Sequence, residues 1–194
     1  MTVKILQKNE PVLRKVALEV PLKDIRSAKI NKIIESMREA MNTEEDAVAI
    51  AAPQIGESLR IFVVSGRAVS LPKASEKQKT SVKKSDRKEV MATDREGASD
   101  IIFINPVIVK TSRKKAVMQE GCLSVRWLYG KVPRSEKVTI RALDEKGNEF
   151  VRGAAGLLAQ IFQHESDHLD GILFIDKAED VEELPPEHSR TISN

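Results

Sequence analysis

The 194-residue sequence holds one cysteine, one tryptophan, one tyrosine and three histidines, and aromatic residues make up only 4% of it. A lone cysteine, Cys122, excludes an intramolecular disulfide and points to a reducing compartment, the cytoplasm. No run of 18 apolar residues exists, so no helical membrane span is expected. The opening stretch MTVKILQKNEPVLRK lacks both a continuous apolar segment and a cleavage-type site, so export is not expected. What is present, 41% hydrophobic and 31% charged residues, reads as a globular chain long enough for a substantial core. The expectation is a single catalytic domain over 1–194, carrying a basic low-complexity insertion at about 67–99.

The net charge of +3 is not spread evenly. Between Pro72 and Glu96 stand eight Lys and Arg against five acids, so the rest of the chain is close to neutral. Arg67 to Ser99 is rich in Lys, Ser, Ala and Thr and separates two strand-like segments, the composition of a solvated insertion. Its alternative use is electrostatic binding to a ribosomal or nucleic-acid surface. With no aromatic residue in it, base-stacking recognition of a specific nucleic-acid sequence is not expected. A short charged helix at Val82 to Met91 is conceivable within it.

Elsewhere the patterning is clear. Ile30, Ile33, Ile34, Met37 and Met41 mark an amphipathic helix. Leu59 to Ser65 reads as a strand, and IIFINPVIVK as one or two strands broken at Pro106, since proline cannot donate to a ladder. Val138, Ile140 and Ala142 alternate with polar residues before Lys146-Gly147-Asn148, a hairpin signal. The outline, a helix, then several antiparallel strands and then a second amphipathic helix, predicts an α+β fold.

That helix carries QHESDH, Gln163 to His168, with two histidines four positions apart and a glutamate directly after the first. Positions i and i+4 share a helix face, so His164 and His168 can chelate one metal ion, with Glu165 beside it to handle protons. Leu157, Leu158, Ile161, Phe162 and Leu169 recur at helical spacing, no proline interrupts them, and Gly171 stands at the expected stop. The helix is predicted over about Ala155 to Leu169. Two histidines leave a catalytic metal one protein ligand short. The candidates are His188, the acids Asp180, Glu182 and Glu183, and Cys122. A lone cysteine is most often a small buried hydrophobe. The glycine-flanked turn QEGCLSV favours Cys122 as a ligand instead.

Three segments in order, AIAAPQIG (Ala49 to Gly56), EGCLS (Glu120 to Ser124) and QHESDH, resemble the signatures of the peptide deformylases. The stretches ILQKNEPVLRKVALEV and VPRSEKVTIRALDEKGN are similar to that family as well. The resemblance implies an α+β fold with antiparallel or mixed sheets around a central metal-binding helix. It implies that Cys122, His164 and His168 bind the metal and that Glu165 is the general acid/base. It also implies that Gln54 and the backbone N–H of Leu123 donate to the oxyanion. The reaction it implies removes the formyl group from N-formylmethionine at the start of nascent polypeptides. Thiolate with two imidazoles suits Fe2+, with Zn2+, Ni2+ or Co2+ able to substitute. The expected partners are a formyl-Met peptide and, transiently, the ribosome.

Two family glycines are replaced here by Ala47 and Ala49. Their methyls either narrow the cleft or are accommodated if both residues keep φ below zero. No long amphipathic helix follows Asp176. Trp127 and Tyr129 stand next to the metal turn, where they can border the methionine pocket or simply pack. Two other readings compete. One is an HExxH-type metallopeptidase with a different third ligand, and the other a non-catalytic, ribosome-binding descendant.

Overall fold

The computed structural model describes residues 3–69 and 99–185. Most of the 67–99 insertion, the helix considered at Val82 to Met91 and His188 lie outside them.

Ser27 opens helix α1 (Ala28–Asn42), its hydroxyl accepting the Ile30 N–H at 3.3 Å. The predicted stripe Ile30, Ile33, Ile34, Met37 and Met41 is buried. Strand β1 (Ala49–Ala51), a 3-10 turn (Ala52–Ile55), β2 (Ile61–Val64) and the short helix α2 (Gly66–Val69) follow. Then come β3 (Ile101–Thr111), β4 (Lys115–Gly121), β5 (Leu128–Ser135), β6 (Lys137–Leu143), β7 (Glu149–Ala155), α3 (Leu157–Leu169) and β8 (Glu179–Glu183). Two sheets form, in the orders β1-β2-β3-β6-β7 and β4-β5-β8, and every neighbouring pair is antiparallel. The architecture is α+β.

Alternation along β2 builds two core layers. Ile61 and Val63 point to α1, while Phe62 and Val64 point to α3, because successive strand residues face opposite sides. On the α3 side Phe62 and Phe103 stack at 4.5 Å, and Phe162 of α3 meets the Phe103 ring edge-on at 5.0 Å. Aromatic pairs of this kind add to simple area burial. Helix α3 is therefore fixed by its apolar face against the large sheet.

Pro106 does not break β3. The strand runs through it, with a register shift between Ile104 and Val107. Asn105 absorbs the irregularity at φ 50°, its side-chain amide both accepting from the Val20 N–H and donating to the Val20 carbonyl, each at 2.8 Å. A bulge leaves one backbone position unpaired, which is where a residue lacking an N–H fits. The hairpin β6–β7 turns at Gly147, φ 85°, as its sequence predicts. Helix α3 stops with Gly171 at φ 72°, where Ile172 N–H reaches Asp167 O at 2.9 Å and Gly171 N–H reaches His168 O at 3.2 Å. These are the two bonds of a Schellman stop. A methyl on Gly171 would lie 2.8 Å from the backbone of Arg14, so the position also needs the absence of a side chain.

Candidate metal centre and cleft

Helix α3 projects His164 and His168 toward the turn that follows β4, where Cys122 stands. One ligand atom from each of the three lies within 4.8 Å of the others, and Cys122 Sγ is 3.2 Å from His168 Nε2. The other third-ligand candidates among the described residues are elsewhere. Asp180, Glu182 and Glu183 lie on β8, all exposed, and Asp180 pairs with Lys131 at 3.0 Å.

The two imidazoles are held differently. His164 Nδ1 lies 2.9 Å from Glu120 Oε2, which leaves Nε2 free to face the cluster. His168 Nδ1 is buried with no hydrogen-bond partner among the described residues. Glu120 is itself gripped by Arg134, through Nε at 2.7 Å and Nη2 at 2.9 Å. Arg134 Nη1 continues to Asp167 on α3 at 2.6 Å, and Lys177 closes the chain on the other oxygen of Asp167 at 2.6 Å. Burial works against the Glu120 charge, but hydrogen bonds from Arg134 and His164 outweigh it and bring its carboxyl down to about 2. Burial would also lower His164, yet the adjacent Cys122 and Glu120 raise it well above the ordinary range. His168, buried and beside the positive charge of His164, is held well below that range.

Glu165 is buried, with Oε2 lacking a hydrogen-bond partner among the described residues. Burial pushes its carboxyl up to about 7, and the charge on His164 pulls the other way. A carboxyl poised near neutrality can take and return a proton. Gln54 does two things at once. Its Oε1 accepts the Ala51 N–H at 2.8 Å, capping the turn, and its Nε2 points to Ser124 Oγ at 3.1 Å and Cys122 Sγ at 3.6 Å. Leu123 follows the cysteine, with its carbonyl held by Gln7 Nε2 at 3.1 Å.

These groups open into a cleft of about 260 Å³ whose lining includes Asp46 to Ala49, Gln54, Gly121 to Leu123, Trp127, Tyr129, His164 and Glu165. Trp127 and Tyr129 thus border the cleft rather than pack inside the core. Ala47 and Ala49 are buried, and neither is among the described residues with positive φ. The replacement of glycine there carries no backbone strain.

The sequence singles out Cys122, His164, His168, Glu165, Gln54 and Leu123, which the structure brings together, all but the buried His168 lining the cleft. It gave no role to Arg134, Asp167 or Glu120. The signal for Arg134 was parity along its strand: Gly130, Val132 and Arg134 are buried while Lys131 and Pro133 are exposed, so Arg134 shares the inward face.

A family model described as polypeptide deformylase matches residues 2–183. Peptide deformylase 1A, chloroplastic/mitochondrial, of Arabidopsis thaliana is 36% identical over 190 residues, 98% of this chain. The chain spans 64% of that relative's length, less than two thirds of it. The peptide deformylase of Fusobacterium nucleatum subsp. nucleatum is 37% identical over 177 residues, 91% of this chain and 84% of the relative. A crystal structure of the class I type b peptide deformylase from Acinetobacter baumannii bound to Met-Ala-Ser superposes with a TM-score of 0.72. It shares 28% identity, and the match covers 91% of this chain and 99% of that one.

Proposed function

The chain belongs to the polypeptide deformylase family, and from that premise we propose that it hydrolyses the formyl group from N-formylmethionine at the start of nascent polypeptides. The observation that carries this reading is the convergence of Cys122, His164 and His168 within 4.8 Å, beside a buried Glu165, at the end of a cleft.

The donor set fits a divalent transition metal. One soft sulfur and two imidazole nitrogens converge, and Glu120 holds the outer nitrogen of His164 so that the inner one is available. Cys122, His164 and His168 are the proposed ligands, with Fe2+ as the ion in the cell and Zn2+, Ni2+ or Co2+ as substitutes. When bound, such an ion supplies Lewis acidity and lowers the pKa of a coordinated water from 15.7 to about 7.

The residues do the rest. The formyl end of the peptide enters between the wall at Ala47 to Ala49 and the turn at Cys122. Glu165 accepts a proton from the attacking water as oxygen adds to the formyl carbon. The Gln54 amide and the Leu123 N–H donate to the developing oxyanion, a contribution of about 10²–10³ per donor in comparable sites. As the C–N bond breaks, Glu165 returns the proton to the departing nitrogen, leaving formate and a free methionyl amine. Burial of Glu165 suits both halves of this transfer.

The cytoplasm is the proposed location, and no described helix is long and apolar enough to cross a membrane. Transient association with the ribosome is proposed from the excess charge of Pro72 to Glu96, which lies outside the described residues.

Formate release from formyl-Met-Ala-Ser by protein purified without oxygen tests the reading. Turnover that disappears together with bound metal in Cys122→Ser supports it. A Cys122→Ser protein that keeps its metal and cleaves internal peptide bonds would identify a metallopeptidase instead. Activity lost in air within minutes and restored with Ni2+ or Co2+ supports Fe2+. A zinc form as fast and as air-stable as any other removes the need for iron.

A further inference from the structure

The two walls of the cleft belong to different sheets. Asp46 to Ala49 lead into β1, the edge of the five-stranded sheet, and Gly121 to Tyr129 join β4 to β5 in the three-stranded one. Among the described residues no backbone hydrogen bond joins 44–49 to 121–129. At the inner end a side chain links the two sides, Gln54 Nε2 to Ser124 Oγ at 3.1 Å. At the outer end the link is Arg126. Its Nη1 donates to Asp46 Oδ2 at 2.9 Å, and its Nη2 donates to Glu44 Oε2 at 2.6 Å and to Asp46 Oδ1 at 3.3 Å.

We infer that Arg126 is a positioning residue, a strap across the mouth that sets the spacing of the two cleft walls and so the fit of the peptide passing between them. The inference rests on the deformylase reading above. Arg126 differs from an ordinary surface cation in three ways. Its side chain is only 19% exposed, while Glu44 and Asp46 are 37% and 62% exposed, so the tie is half-buried on one side and open to salt on the other. It meets two carboxylates on the opposite wall at once, using the planar fork that a lysine lacks. Its guanidinium also lies 5.0 Å from the centroid of the Trp127 ring, a cation–π contact that orients a second cleft residue. Burial opposes its charge, but Asp46 and Glu44 hold it above the usual arginine range. A wall tied at both ends has a fixed gap, whereas one held only at its inner end, by Gln54 and by Leu123 packed with Ala47 and Ile50, can swing at the mouth. Opening the outer tie therefore weakens substrate binding more than it slows the chemistry at the far end.

The test is steady-state kinetics on a neutral substrate, formyl-Met-Ala-Ala amide, so that substrate charge plays no part. Arg126→Met is expected to raise KM about 2- to 5-fold, the scale of a partly exposed ion pair, with a smaller change in kcat. Arg126→Lys should recover part of the loss. The wild-type KM should climb as KCl goes from about 0.05 to about 0.5 M, since salt screens the strap, while the Arg126→Met KM stays flat. Lys131→Met, which removes an exposed pair with Asp180 away from the mouth, should match wild type throughout. If Arg126→Met fails to fold by circular dichroism, the double variant Glu44→Gln/Asp46→Asn carries the same expectation. A folded variant with wild-type KM and wild-type salt dependence overturns the strap. A wild-type protein that binds metal but releases no formate overturns the deformylase reading, and the strap with it.

Discussion

Carboxylate–cation pairs occur at both the inner and the outer parts of this molecule, and their surroundings give them different work. Around His164, Arg134 and Glu120 are 4% and 2% exposed. On the outer strands the Lys131–Asp180 and Arg141–Glu149 pairs are all half exposed or more. Water and salt already satisfy the outer charges, so losing a partner there changes little. The inner charges have only each other. Their geometry is therefore fixed, and fixed geometry is what aims an imidazole at a metal.

The largest effect tests Glu165, whose buried Oε2 has no hydrogen-bond partner among the described residues. Glu165→Gln should keep its metal yet lose about 10²–10⁴-fold in turnover, because the proton has no carrier. Metal content measured beside formate release checks this, and a variant with near-normal turnover removes Glu165 from the chemistry. The next breaks the buried network. Arg134→Met leaves Glu120 ionised without its cation, a loss of about 3–5 kcal/mol in buried pairs generally, and metal affinity should fall about 10–100-fold. Chemical denaturation and competition with a chelator read the two effects. The double variant Arg134→Met/Glu120→Leu sharpens the comparison. It should regain stability but not metal affinity; if affinity returns as well, the network packs the core and does not aim His164.

A smaller effect is expected in the β6–β7 turn. Asp144 accepts from the Lys146 and Asn148 N–H groups, each at 2.8 Å. Asp144→Ala should cost about 1 kcal/mol. Its carboxyl sits below the ordinary aspartate value: burial acts against the shift, while Asn148 and Lys146 produce it. A depressed folded pKa gives stability that is present above the unfolded value and lost as pH falls through the folded one. The penalty of Asp144→Ala should therefore be full at pH 6 and shrink below about pH 4. An equal penalty at pH 6 and pH 3 would show that the charge is irrelevant. The smallest effect should come from deleting Pro72 to Glu96. The rate on a free formyl tripeptide should stay within about a few fold, as for a shortened surface loop, while salt-sensitive ribosome binding weakens. Ribosome binding unchanged by both deletion and salt would remove the electrostatic role.

Periodicity made α1, α3 and the β6–β7 hairpin legible, because their apolar residues obey one repeat and their ends carry glycine or a turn. The candidate metal cluster was legible for a related reason: two of its proposed ligands lie on one helix face, and the third is the only cysteine. Strands β4, β5 and β8 were not read. Their buried residues are few and mixed with Lys, Glu and Arg, as in β8, which is exposed along its whole length. Pro106 misled because the rule against proline concerns paired positions, and a bulge supplies an unpaired one. Arg134 and Asp167 were missed because an ion pair 33 residues apart in sequence leaves no local pattern.

The stop of α3 at Gly171 has a consequence for how a newly made chain matures. The helix end is seated on the start of the chain: Ala17 N–H bonds Leu169 O at 2.8 Å, and the Arg14 backbone occupies the space a side chain on Gly171 would need. These contacts close a loop of about 150 residues, a closure whose entropy must be met before the contact can reward it. Residues 14–17 thus wait for residues 169–171 to be made before docking. His164 and His168, on the same late helix, meet Cys122 only at that stage. During synthesis the chain therefore has no assembled Cys122–His164–His168 cluster until α3 has been made and docked.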